Sequence, residues 1–112
     1  MVFNIKKGTV KYISKLCRFI KYSMNDFIRI ENKNNNITYS KYDNTIQIRI
    51  SYKQNIVDGS NKNVFVINIT THNDHNVSGI LNYECTTSRQ LYKSFIKYID
   101  NCSPHIFSKL FD

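Results

Sequence analysis

From Val64 to Cys102 the chain reads as strand, turn, strand, short link and helix, and the remaining residues must be arranged around that unit. Val64–Thr71 (VFVINITT) has β-branched or aromatic residues at nearly every position. His72–Asn76 (HNDHN) is polar and turn-forming, and Val77–Glu84 (VSGILNYE) reads as the return strand. An isolated hairpin is marginal in water and needs a further layer against its apolar face. Thr87–Cys102 (TSRQLYKSFIKYIDNC) supplies one. Leu91, Phe95, Tyr98, Ile99 and Cys102 recur at helical spacing, with Arg89, Lys93 and Lys97 on the outer side. Thr87 is placed to cap this helix, and Gln90 three positions on predicts a capping box.

The segment upstream repeats both signals. Thr9–Met24 predicts a helix, because Val10, Ile13, Leu16, Cys17, Ile20 and Met24 form one apolar stripe opposite Lys7, Lys11, Lys15 and Arg18. Phe27–Glu31 (FIRIE) predicts a short strand with Ile28 and Ile30 on its core face and Phe27, Arg29 and Glu31 on the other. Asn32–Asn36 reads as a polar, mobile loop. Ile37–Tyr42 and Thr45–Tyr52 flank Asp43-Asn44, a hairpin turn. In the second of these strands Ile46, Ile48, Ile50 and Tyr52 alternate cleanly with Gln47, Arg49 and Ser51. Lys53–Asn63 reads as a loop with an Asp58-Gly59 turn. Beyond the long C-terminal helix, Ser103-Pro104 starts a short helical turn, from which Ile106, Phe107, Leu110 and Phe111 fold back on the core.

Helix, about five short strands joined by short connections, then helix: this order predicts an α+β fold. It is a two-layer domain with an antiparallel meander sheet and the N- and C-terminal helices packed on one face. At 112 residues the chain fits one domain. The expected core contains Leu16, Ile20, Ile48, Ile50, Ile67, Leu91 and Phe95, and the open sheet face would carry Arg29, Gln47, Arg49, Asn68 and Asn82.

Sixteen Lys and Arg against eight Asp and Glu give a net charge of +8, which favours polyanionic partners. A compositional reading competes: Ala and Trp are absent, and Ile, Asn, Lys, Tyr and Phe make up roughly half of the chain, so AT-rich codons also raise the Lys count. The placement of charge therefore matters more than its total. The helix stripes read either as phosphate-contacting ridges or as solvated faces. Cys17, Cys85 and Cys102 match no zinc or redox spacing and read as reduced thiols of a cytoplasmic protein, with no signal peptide and no transmembrane span. His72 and His75 with Asp74 make an H-x-x-H turn, but a turn composition explains them and no metal is expected. With no glycine-rich phosphate loop, no paired carboxylates and no motif around Cys85 and His105, neither an enzyme nor a cofactor is expected.

A binding surface is the better expectation. Arg29 and Arg49, with Lys41 and Lys53 nearby and Tyr39 or Tyr42 at the flank, would form a basic, aromatic-edged patch on the open sheet face, suited to structured RNA. Two segments carry a family resemblance. VKYISKLCRFIKYSMNDFIRIENK resembles the opening helix, turn and first strand of the 14-kDa Alu-domain subunit of the signal recognition particle. NVFVINITTHNDHNVSGILNYECTTSRQLYKSFIKYI is similar to that family's last hairpin, link and closing helix. The chain departs from it at Met24-Asn25, in Asn32–Asn63 and in its HIFSKLFD tail. The resemblance implies a non-enzymatic RNA-binding subunit that pairs with a second small α+β subunit, clasps structured RNA and slows elongation. The alternative is a small accessory protein of an AT-rich virus or parasite acting through protein–protein contacts.

Overall fold

The structure, a computed structural model, describes residues 10–33, 35–41, 45–73 and 76–111, with the backbone alone at 57. Helix α1 (Lys11–Ser23) leads into β1 (Ile28–Lys33), β2 (Asn36–Lys41), β3 (Ile46–Val57), β4 (Ser60–Asn73) and β5 (Asn76–Cys85). Helices α2 (Ser88–Asp100) and α3 (Pro104–Phe111) follow. The strands lie in the sheet in chain order and every neighbouring pair is antiparallel, the outcome that short connections favour. This is the expected α+β meander.

Register explains why both long helices cover one face. Ile37, Ile50 and Ile67 sit side by side across β2, β3 and β4, and Tyr39, Ile48 and Ile69 form the next row. Residues in such rows project from the same side of a sheet. They are buried in one cluster with Ile13, Leu16 and Ile20 of α1 and Leu91, Phe95 and Ile99 of α2. All seven core residues named from the sequence are fully buried. The helices meet through Phe19 and Phe95, edge to face at 6.0 Å, and through Tyr12 and Tyr92 at 5.8 Å.

Capping follows the sequence in part. Thr87 Oγ1 accepts from the Gln90 N–H at 3.2 Å, but the Gln90 side chain accepts from Thr86 Oγ1 instead of closing the reciprocal arm of a capping box. Pro104 opens α3, with Ser103 Oγ accepting from the Ile106 N–H at 3.5 Å. Leu110 is fully buried, Ile106 and Phe111 pack partly against the core, and Phe107 remains largely exposed.

Two expectations are corrected. Most of Lys53–Asn63 is strand: β3 runs to Val57 and β4 starts at Ser60, so the Asp58-Gly59 turn joins two long strands. Likewise β1 and β2 take up most of Asn32–Asn36. The second correction concerns β1. Ile28 and Ile30 are 69% and 53% exposed, whereas Phe27 is 5% exposed. Arg29 pairs with Tyr39, a core-face residue, and Ile28 pairs with Ser40 on the opposite face. The Phe27 N–H bonds the Met24 carbonyl at 3.0 Å, which ties Phe27 to the end of α1. A bulge between Arg29 and Glu31 then leaves Ile30 outside the register. The Asp43-Asn44 turn and Tyr42 lie outside the described residues.

Candidate anion-binding groove

Of the four basic residues expected on the open sheet face, Arg49 and Lys53 are there, while the inverted β1 removes Arg29 and the parity of β2 removes Lys41. Arg49 is level with Thr38 and Asn68. Lys53 shares its face, four residues along β3 and opposite Val64. Arg29 projects from the helix-covered side instead. Lys41 pairs with Ile46 on that same side and is 3% exposed. Its Nζ donates to the Leu110 carbonyl at 3.1 Å and lies 3.9 Å from Asp26 Oδ2 and 5.5 Å from the Phe27 ring centre. It is a structural cation, out of reach of a ligand on either face. Tyr39, expected at the flank of the patch, is buried under α1.

By register Lys33 and Lys62 stand on the open face with Arg49 and Lys53, spread over its length, and the hollow there is small. Gln47, Arg49, Asn68, Thr70, His72 and Val77 line a depression of about 190 Å³. Asn68 Nδ2 donates to Asn82 Oδ1 at 2.6 Å, and Thr70 Oγ1 and His72 Nε2 are 3.1 Å apart. These amides and hydroxyls satisfy one another, and the depression holds one full cation. Glu31 and Glu84 stand on the same face by register. Thr38 and Ser40 on β2 are buried there although they point away from the helices. His75 lies outside the described residues. Among the described residues no three His, Cys, Asp or Glu side chains gather as a metal site.

Cations gathered around a single larger groove lie elsewhere. Ser14, Arg18 and Lys21 follow one another at helical spacing along the side of α1 that faces the β1 edge, with Cys17 beside them and Asn25 in the turn that follows. Phe27 and Arg29 alternate onto the same side of the edge strand, and Tyr39 is the register partner of Arg29. Together these residues wall a groove of about 410 Å³. Arg18, Lys21 and Arg29 are exposed at its rim, and no carboxylate lines it among the described residues. Each cation carries unit charge into a concave, partly apolar space, where field lines are focused more than on a flat surface. Two arginines offer planar donor forks that match phosphate oxygens.

The floor of the groove is neutral. Burial pushes the Cys17 thiol above its ordinary range, only partly offset by the neighbouring Tyr39 hydroxyl and Arg29 charge. Burial, with Cys17 beside it, likewise pushes Tyr39 up. Both stay protonated at neutral pH, so the groove offers donors and charge but neither a thiolate nucleophile nor a base.

Lys21, Tyr12 and Tyr22, which the sequence analysis did not single out, add a cation and two rings to the basic ridge of α1. Lys21 Nζ lies 5.4 Å from the ring centre of Tyr22, which is 71% exposed. Lys15 and Lys11 flank Tyr12 at 4.8 and 5.9 Å. Basic side chains interleaved with aromatics form the arrangement that tracks a phosphate backbone and stacks unpaired bases. The signal was present in α1: Tyr22 falls off the apolar stripe, where a large ring has no core to fill. No helix among the described residues is long and apolar enough to cross a membrane. No protein-family model, no curated protein and no solved structure matches the chain.

Proposed function

We propose that the protein is a non-enzymatic RNA-binding module that holds the phosphate backbone in the groove between α1 and β1. The observation that supports this is the meeting of Arg18, Lys21 and Arg29 around a cleft with no lining carboxylate among the described residues, next to the exposed Tyr22 ring. The open sheet face spreads Lys33, Arg49, Lys53 and Lys62 among the carboxylates of Glu31 and Glu84, with one cation lining its depression of about 190 Å³, and is the weaker candidate. A role as one subunit of an RNA-bound pair, of the kind implied by the likeness to the signal recognition particle's Alu-domain subunit, is the narrower form of the same reading.

Binding to a structured RNA hairpin should be measured against salt, comparing Arg18→Glu with Arg29→Glu to Arg49→Glu with Lys53→Glu. Removing one cation from a bound phosphate flattens the slope of log affinity against log salt by about 0.7–0.9. The groove pair is therefore expected to reduce the slope by about 1.4–1.8, and the sheet-face pair to change it little. Both variants should retain the circular dichroism spectrum and cooperative melt of the parent. Equal reductions in the two pairs would mean diffuse attraction to a basic protein, and no binding by the parent would remove the reading altogether.

A further inference from the structure

The two edges of the sheet are each overhung by a helix, and the grooves so formed differ in character. Beside β1 the groove is basic. Beside β5, Leu81 and Tyr83 of the strand and Phe95, Lys97 and Tyr98 of α2 wall a mostly apolar cleft of about 560 Å³. That volume is in the range that takes up a few side chains or a small ligand. The strand that forms its floor is an edge: β5 pairs with β4, and among the described residues nothing pairs with its other side.

Edge strands are usually blunted, because a row of free N–H and C=O groups invites another chain. Here the blunting covers part of the edge. The register shift between Ile69 and Thr70 leaves Ile80 as a bulge, which interrupts the strand between Gly79 and Leu81. From Leu81 to Cys85 the register is regular, and this stretch runs beside the cleft. An open strand edge next to a helix, with an apolar groove between them, is the geometry in which an extended peptide adds to a sheet. The main chain supplies affinity, and alternate side chains enter the groove.

We propose that this edge receives an extended peptide as a sixth strand beside Leu81–Cys85, with an apolar side chain laid into the cleft and acidic residues flanking it. Charge selects the occupant. Lys97 stands in the wall of the cleft, and Lys93 and Arg89 continue the ridge one and two helical turns earlier. A second copy of the chain would bring another net +8 to this edge, which disfavours self-pairing, whereas an acidic segment is attracted. The ring of Tyr98 adds apolar surface to the wall beside Phe95 and Leu81, which suits an apolar side chain of the added strand. The site is separate from the α1–β1 groove and does not rest on the RNA reading.

The probe is a fluorescein-labelled synthetic peptide with a Val-Thr-Val-Thr-Val core between two Asp-Glu pairs. Two controls accompany it: the same core between lysine pairs, and the acidic peptide with proline at its centre. Anisotropy should show binding of the acidic peptide, binding weaker by about tenfold or more for the lysine-flanked one, and none for the proline version, which cannot complete the ladder. Backbone amide shifts should concentrate on residues 81–85 and 94–101. Lys97→Glu, a change on the exposed helix surface, should weaken the acidic peptide by about tenfold with the melt unchanged. The proposal is overturned by no binding, by equal binding of the proline peptide, by shifts that map to α1 and β1, or by a concentration-dependent dimer whose formation the Lys97→Glu change strengthens.

Discussion

Lys41 is a lysine whose charge is used inside the protein. Its ammonium meets the carbonyl of Leu110, in the last turn of α3, where unsatisfied carbonyls gather and positive charge is favoured. Asp26 is 63% exposed and 3.9 Å away, so its share of the interaction is screened by water. Through this bond Lys41 ties β2 to α3. Lys41→Met, which keeps the length of the stem, should lower unfolding free energy by about 1.5–3 kcal/mol, the net value of a hydrogen bond with one charged partner. Asp26→Asn should change it by less than about 1 kcal/mol. Urea titration followed by circular dichroism checks both, and a Lys41→Met variant as stable as the parent would show that the tie contributes nothing. This role could not be read from the chain. Residues 37–42 alternate too weakly for their parity to be assigned, and the partner carbonyl lies 69 positions away. The side taken by Arg29 was hidden for a related reason. Two isoleucines in FIRIE outweigh one phenylalanine by composition, yet the Phe27 bond to Met24 and the bulge at Ile30 decide which side faces the core.

At the scale of elements, the helices were legible because their apolar stripes are long and regular. The first half of β3 was legible for the same reason: Ile46, Ile48, Ile50 and Tyr52 alternate with polar neighbours, and all four are buried. The distal halves of β3 and β4 were not, because residues 53–63 are mostly polar on both sides and give no period-2 signal. What extends the strands is the turn between them. Asp58 and Gly59 both have positive φ, 51° and 77°, the combination that two-residue hairpin turns need to match the twist of their strands. Gly59 has open space around it, so Gly59→Ala tests the backbone alone. It should cost about 1 kcal/mol through the left-handed conformation. Gly79, also in open space and without positive φ, is the matched control, and Gly79→Ala should leave stability unchanged or slightly raised. Urea midpoints at an unchanged slope give the comparison, and equal effects at the two glycines would remove the turn as the element that sets the register.

Over the whole molecule, the layered fold was legible and the surfaces were not. A core needs only that apolar stripes agree in period, and those stripes are written locally. The basic groove needs the side of α1, the parity of a short edge strand and the register of its neighbour all at once, and one inverted strand moves Arg29 from one face of the protein to the other. The same inversion sets up a comparison of two isoleucines, each in a strand and each followed by an arginine. Ile48 is fully buried at the centre of the sheet, between Tyr39 and Ile69. An aspartate there has no cation among its row neighbours, and an unpaired buried charge costs several kcal/mol, on the order of the roughly 5–15 kcal/mol that stabilises a domain. Ile48→Asp should therefore abolish the cooperative melt. Ile28 is 69% exposed, and its aspartate would remain solvated. Ile28→Asp should shift the unfolding free energy by no more than about 1 kcal/mol. Thermal melts of the two variants side by side decide the matter: if Ile28→Asp unfolds the protein as Ile48→Asp does, β1 turns its isoleucines inward, and the groove built on Arg29 loses its third cation.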